Sequence, residues 1–132
     1  MTIDAQVDVI GIVVTDMSRA LAFYRLLGLD IPPDADGEPH VEVTLRGGLR
    51  LAFDTEDTIR SFHPAWRPGT GGRASLAFLL PDPAAVDDAW AVLVGAGHHG
   101  ELEPFDAFWG QRYAVLHDPD GTGVDLFAPL PS

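Results

Sequence analysis

The sequence has no cysteine, which excludes disulfides, thiolate nucleophiles and zinc–thiolate centres. Basic side chains are scarce: 8 Lys or Arg stand against 20 Asp or Glu, for a net charge of −12. A surface of that sign repels nucleic-acid backbones and anionic lipid, so neither nucleic acid nor a membrane is expected as a partner. No apolar run reaches bilayer-spanning length, and the opening MTIDAQVDV lacks a basic n-region and an apolar h-region. A cytoplasmic protein is therefore expected. There is no G-x-S-x-G elbow and no Walker loop. The GTGG stretch at 69–72 precedes a strand rather than opening a helix, so it reads as linker and not as a phosphate cradle.

What the sequence does contain is one unit written twice. Its 132 residues, 46% hydrophobic and 21% charged, suit a single folded domain with a real core. The first copy, VDVIGIVVTDMSRALAFYRLLGL, is a β-branched apolar run, a turn carrying Asp16, and a stretch with helical spacing. Thr15 or Asp16 can cap that helix. Met17, Ala20, Leu21, Tyr24 and Leu27 share one face, and Gly28 stops it. HVEVTLRGGLRLAFD then alternates as a hairpin about a Gly-Gly turn. The second copy, ASLAFLLPDPAAVDDAWAVLVGAG, repeats the plan 66 residues on, with Asp82 in place of Asp16 and Trp90 in place of Tyr24. Its helix turns Val86, Ala89, Trp90 and Leu93 inward. The strands QRYAVLH and VDLFAPL follow, joined by DPDGTG. Each copy is β-α-β-β, with one more strand expected in its loop. Such a unit covers one sheet face with a helix and leaves the other in need of cover, so two units curving about a common cleft give a natural small-molecule site.

DMSRALAFYRLLGL and WGQRYAVLHDPDGTGVDLFAPL resemble the vicinal oxygen chelate superfamily of glyoxalases, bleomycin-resistance proteins and extradiol dioxygenases, over nearly the whole chain. The resemblance implies an α+β fold of two tandem βαβββ modules, curved sheets around a cleft, within one domain. Module 1 is placed at about 5–56, the linker at about 57–72 and module 2 at about 73–130. It also implies a divalent metal held by four inward side chains, two per module. Counting seven residues back from Asp16 and from Asp82 puts two of those positions at Val9 and Ser75. The last-strand position falls at Asp125, and its partner, aligned through the hairpins, at Arg50, or at Leu51 one residue along. Only Asp125 offers a suitable donor, so no metal cofactor is expected. The five histidines read as surface or turn residues, none spaced to bring two onto one face with a carboxylate. A relocated metal site using His63, or His40 with Glu42, stays open.

Aromatic residues remain. Phe62, His63 and Trp66 lie in the linker; Phe105, Phe108, Trp109 and Tyr113 surround Gln111 in the WGQR segment. Flat rings suit a planar guest, and an acidic protein favours a cationic or polar aromatic one. Trp66, Trp109, Phe108, Phe62, His63, Gln111 and Tyr113 are the expected ligand-binding residues. Arg50 and Asp125 are added to orient the guest, unless they form a structural ion pair. The resemblance is strongest in character to the metal-free bleomycin-resistance type. That implies a homodimer sequestering a small, aromatic or antibiotic-like molecule in a crevice. The alternative is an enzyme of the glyoxalase or dioxygenase type, metal-dependent or working by acid–base chemistry through Asp125; a third is a partner protein that keeps only the fold.

Overall fold

The computed structural model describes residues 2–69 and 74–132, and the chain divides into two compact units, Met1–Arg67 and Pro68–Ser132. Thr70, Gly71 and Gly72 of the GTGG stretch lie outside the described residues.

The first unit runs β1 (Val9–Val14), α1 (Met17–Leu26), a 3-10 turn (Pro33–Gly37), β2 (His40–Thr44), β3 (Arg50–Thr55) and α2 (Glu56–Phe62). Asp16 caps α1: its Oδ1 accepts from the Arg19 amide at 3.1 Å, satisfying a donor the first helical turn leaves unpaired. Met17, Ala20, Leu21, Phe23 and Tyr24 are buried. Tyr24 packs on Phe53 of β3 with ring centroids 5.0 Å apart, and Ile12, Val14, Leu51, Val41 and Val43 complete the core. Each such side chain contributes about 1.5–3 kcal/mol on burial. Leu27, expected on this face, is the C-cap and only half-buried. Strand order is β1-β3-β2, with β1 parallel and β2 antiparallel to β3. The β2–β3 turn needs Gly47 and Gly48, both with φ near +90°, a region that penalises a Cβ. Residues 57–62, read as the start of the linker, belong to α2 (Glu56–Phe62), capped by the Thr55 hydroxyl, which accepts from the Thr58 amide.

The second unit runs β4 (Ser75–Leu79), α3 (Pro83–Gly95), β5 (Gly100–Ala107), β6 (Gln111–His117) and β7 (Gly123–Pro129), in sheet order β4-β7-β6-β5 with β4 parallel to β7. Asp82 caps α3 through the Ala85 amide at 2.9 Å, and Pro83 occupies the first turn. Val86 and Leu93 of α3 bury against Ala114, Leu116, Val124, Leu126 and Ala128. Arg112 ties α3 to β5, with Nε 3.0 Å from Asp87 and Nη1 3.1 Å from Asp106. The DPDGTG turn is closed by Asp118, whose Oδ1 accepts from the Asp120 and Thr122 amides, each at 2.9 Å. The α+β fold expected from the repeat is present, among the described residues as a three-stranded and a four-stranded mixed sheet with three helices. The fourth strand is β5. At the corresponding place the first unit has the Pro33–Gly37 turn, where the prolines withhold the ladder donors a strand needs.

Candidate functional site

Alternation along β4, β6 and β7 sends one set of side chains toward α3 and the other to the opposite face. The opposite face carries Ser75, Tyr113, Val115, His117, Gly123, Asp125 and Phe127, all half-buried except exposed Ser75. A cavity of about 400 Å³ opens there, lined by Ser75, Glu101, Val115, His117, Gly123 and Asp125. Gly123 makes room for it beside Ser75: a Cβ there would come 3.2 Å from the Ser75 Cβ.

Two polar pairs border this cavity. The Tyr113 hydroxyl donates to Asp125 Oδ2. Burial, and then this bond to the carboxylate, push the phenol up to about 12. His117 Nε2 lies 3.0 Å from Glu101 Oε2, and its ring packs 5.1 Å from that of His99. Beyond Tyr113 the same end of the sheet carries an aromatic ladder. Tyr113 stacks on Phe127 at 6.5 Å and meets Trp109 edge-on at 5.3 Å; Phe105 lies 6.2 Å from both Trp109 and Tyr113. The Trp109 indole N–H donates to Gln111 Oε1 at 2.8 Å, which fixes the ring. Trp109 remains 48% exposed and Phe108 98%.

In the first unit, alternation gathers charge instead. Arg50 Nη2 lies 2.5 Å from Asp8 and Nη1 2.6 Å from Glu42; Glu42 lies 2.7 Å from His40 Nε2, and His40 Nδ1 lies 2.5 Å from Asp54. Carboxylates only accept, so both imidazole nitrogens carry protons. The Glu42 bond first, then the Asp54 bond, hold the His40 pKa above its ordinary value.

The expected ligand residues thus divide between the units. Tyr113, Asp125, Gln111 and Trp109 come together on the second sheet, with exposed Phe108 touching Trp109 at a ring distance of 5.1 Å. Phe62 ends α2 and His63 caps it, both exposed, while Trp66 carries the Arg60 guanidinium 5.3 Å over its ring. Arg50 is engaged by Asp8 and Glu42, and Asp125 by Tyr113, so each has its partner within its own unit. The expectation that no histidine shares a face with a second one and a carboxylate is corrected by His99, His117 and Glu101. His40 likewise sits between Glu42 and Asp54. His117, Glu101 and Ser75 are the cavity residues that sequence reasoning missed. The alternation that put Tyr113 on this face also puts His117 there, four residues along β6.

The metal positions also need correction. Ser75 pairs with Gly123 and Ala77 with Asp125 across β4–β7; Val9 pairs with Arg50 and Gly11 with Ala52 across β1–β3. With the strands 66 residues apart, the counterpart of Asp125 is buried Ala52, neither Arg50 nor Leu51. The four positions therefore hold Val9, Ala52, Ser75 and Asp125. One carboxylate and one hydroxyl do not fit the divalent ion the fold implies. Both nitrogens of His40 are taken by carboxylates. Among the described residues no group of three or more His, Asp or Glu is arranged to hold a metal.

A first strand parallel to the last, a covering helix and an antiparallel neighbour to the last strand, repeated in two units, define an α+β protein of duplicated architecture. The model of the Glyoxalase/Bleomycin resistance protein/Dioxygenase superfamily matches residues 6–126, and the chain belongs to that superfamily. Solved structures agree on the fold. A family enzyme from Burkholderia phytofirmans is 20% identical at a TM-score of 0.82, covering 96% of this chain and 100% of that one. A glyoxalase-related enzyme from Fulvimarina pelagi is 19% identical at 0.80, covering 93% and 87%. A family member from Nocardioides is 22% identical at 0.73, covering 100% and 88%. Among curated proteins none matches. No helix among the described residues is long and apolar enough to cross a membrane.

Proposed function

We propose that the chain is a cytoplasmic small-molecule binding protein, which holds an aromatic, antibiotic-like compound on the β4–β7 sheet face and releases it unchanged. The observation that carries this reading is the juxtaposition of the cavity, of a size usual for ligand sites, with the ladder of Phe105, Trp109, Tyr113 and Phe127. Partly exposed, fixed rings offer stacking area at little entropic cost. The donor-poor set Val9, Ala52, Ser75 and Asp125 supports binding without a metal. Homodimerisation belongs to the same reading, since Leu79, Leu102 and Phe108 remain exposed; light scattering should return about twice the 14.2 kDa chain mass.

The test is a fluorescence titration of the purified protein with aromatic antibiotics, followed by Trp109→Ala. Losing a stacked ring and its buried area weakens binding about tenfold or more. The melting temperature should change little, because the ring is half exposed. A collapsed melting temperature, unchanged affinity, or near-stoichiometric transition metal in the purified protein overturns the reading. A second reading, acid–base catalysis, is favoured by His117–Glu101 and Tyr113–Asp125 bordering one cavity. Turnover of the bound compound would establish it over sequestration.

A further inference from the structure

Resting on the small-molecule reading above, we propose that the β4–β7 cavity selects a protonated amine. Its ammonium lies between Glu101 and Asp125, and its apolar or aromatic body lies along Tyr113 and Trp109.

Glu101 uses one carboxylate oxygen on His117, and Asp125 uses one on Tyr113. Among the described residues, Glu101 Oε1 and Asp125 Oδ1 have no hydrogen-bond partner, and both residues line the cavity. The groups that would donate are already committed: the Tyr113 hydroxyl to Asp125, His117 Nε2 to Glu101, and the Trp109 indole to Gln111. Ser75 brings one hydroxyl, which donates and accepts alike. No arginine is among the lining residues described, and the sequence has no lysine. Residues 68–132 hold nine Asp or Glu against two Arg. Of the two, Arg112 is held by Asp87 and Asp106 on the α3 side.

A guest must therefore bring donors, and an ammonium is a group with three donors and no acceptor. Hydrogen bonds to an ionised carboxylate are about twice as strong as those between neutral groups, and an ammonium donor adds the Coulombic attraction of a full positive charge that an alcohol lacks. The electron-rich faces of Tyr113 and Trp109 attract a cation as well. A carboxylate guest would meet two like charges.

Three probes of one shape but different charge test this: 2-phenylethylamine, 2-phenylethanol and phenylacetate, titrated calorimetrically into the full chain at neutral pH and low salt. The amine should bind about tenfold more tightly than the alcohol, with phenylacetate weakest. Glu101→Gln and Asp125→Asn should each shrink the amine-to-alcohol ratio, with folding checked by circular dichroism. Should either variant fail to fold, the wild-type salt dependence decides, since added NaCl must weaken the amine and leave the alcohol unmoved. Equal affinity for amine and alcohol, or tighter phenylacetate, overturns the amine selection and leaves the small-molecule reading standing. Binding of none of the three at millimolar concentration overturns both.

Discussion

Replacing Gly100 by Ala drives a methyl group into the ring of Trp90. A Cβ at that position lies 2.4 Å from Cη2, 2.7 Å from Cζ2 and 3.1 Å from Cζ3. Carbon atoms reach their best separation at about 3.5–4.0 Å, so the ring or the start of β5 must give by about 1 Å. Trp90 projects from α3 between the fully buried Val86 and Leu93. A retreating ring therefore disturbs the packing that holds α3 on the sheet. Overpacking of this kind costs about 1–3 kcal/mol. For a chain of this size that corresponds to a fall in Tm of about 4–12 °C. Differential scanning calorimetry of Gly100→Ala measures it, and the pair with Trp90→Leu assigns it. Removing the ring removes the clash, so the double variant should lose less than the sum of the single losses. An unchanged Tm for Gly100→Ala, or strict additivity, refutes the reasoning. Glu101 follows Gly100 directly, so the same variant should weaken amine binding in the adjacent cavity.

Two further outcomes follow from the site chemistry. His40 donates to Glu42 and Asp54 only as the imidazolium, and its folded-state pKa is raised, by the Glu42 bond first and the Asp54 bond next. Its stabilisation is therefore complete below the unfolded value of about 6.5 and lost as pH rises through the folded value. Tm should fall across that window and flatten in His40→Gln; a Tm that rises or stays level across it refutes the bridge. Tyr113 should ionise at about 12, because of burial and then Asp125. Phenolate absorbance of Asp125→Asn should bring the midpoint down toward 10 without reaching it, since burial remains; an unmoved midpoint would remove Asp125 as a cause.

Much of the fold was legible because it is written in local patterns. Asp16 and Asp82 cap their helices as their spacing demanded, and the Gly47–Gly48 turn sits between alternating strands as the hairpin pattern required. The α2 helix was hidden by its neighbourhood: Glu56–Phe62 is short and charged, beside a proline- and glycine-rich stretch, so only its cap and first-turn acids announced it. An extra strand was expected in each copy, but the place of β5 was hidden by Pro104 and by bulges between Gly100 and Phe105, which break the two-residue alternation.

The site was less legible because its geometry depends on register across strands, and parallel pairing leaves no mark in the intervening sequence. Hairpins fix register through a short turn, but β1 meets β3 after some 35 intervening residues, and aligning one hairpin on another misplaced the equivalent of Asp125 by two residues. Two residues is a full pleat period, so the error kept the face and changed the occupant, from a buried alanine to an arginine. The chemistry moves with it. Arg50 would have made the counterpart of Asp125 in the other repeat a cation. Ala52 leaves that position without charge, and Arg50 belongs to the Asp8–Arg50–Glu42–His40–Asp54 chain of the first sheet. Asp125 is paired with Tyr113 within its own sheet. The polar groups that remain beside it, Glu101, His117 and Ser75, were invisible to a search for the family's four positions, because only Ser75 occupies one of them. The same register supplies the discriminating experiment. Asp125→Asn keeps the shape of the Tyr113 bond while removing the charge, so a protein that uses Asp125 for its charge loses the amine selectively, and one that uses it only for packing does not.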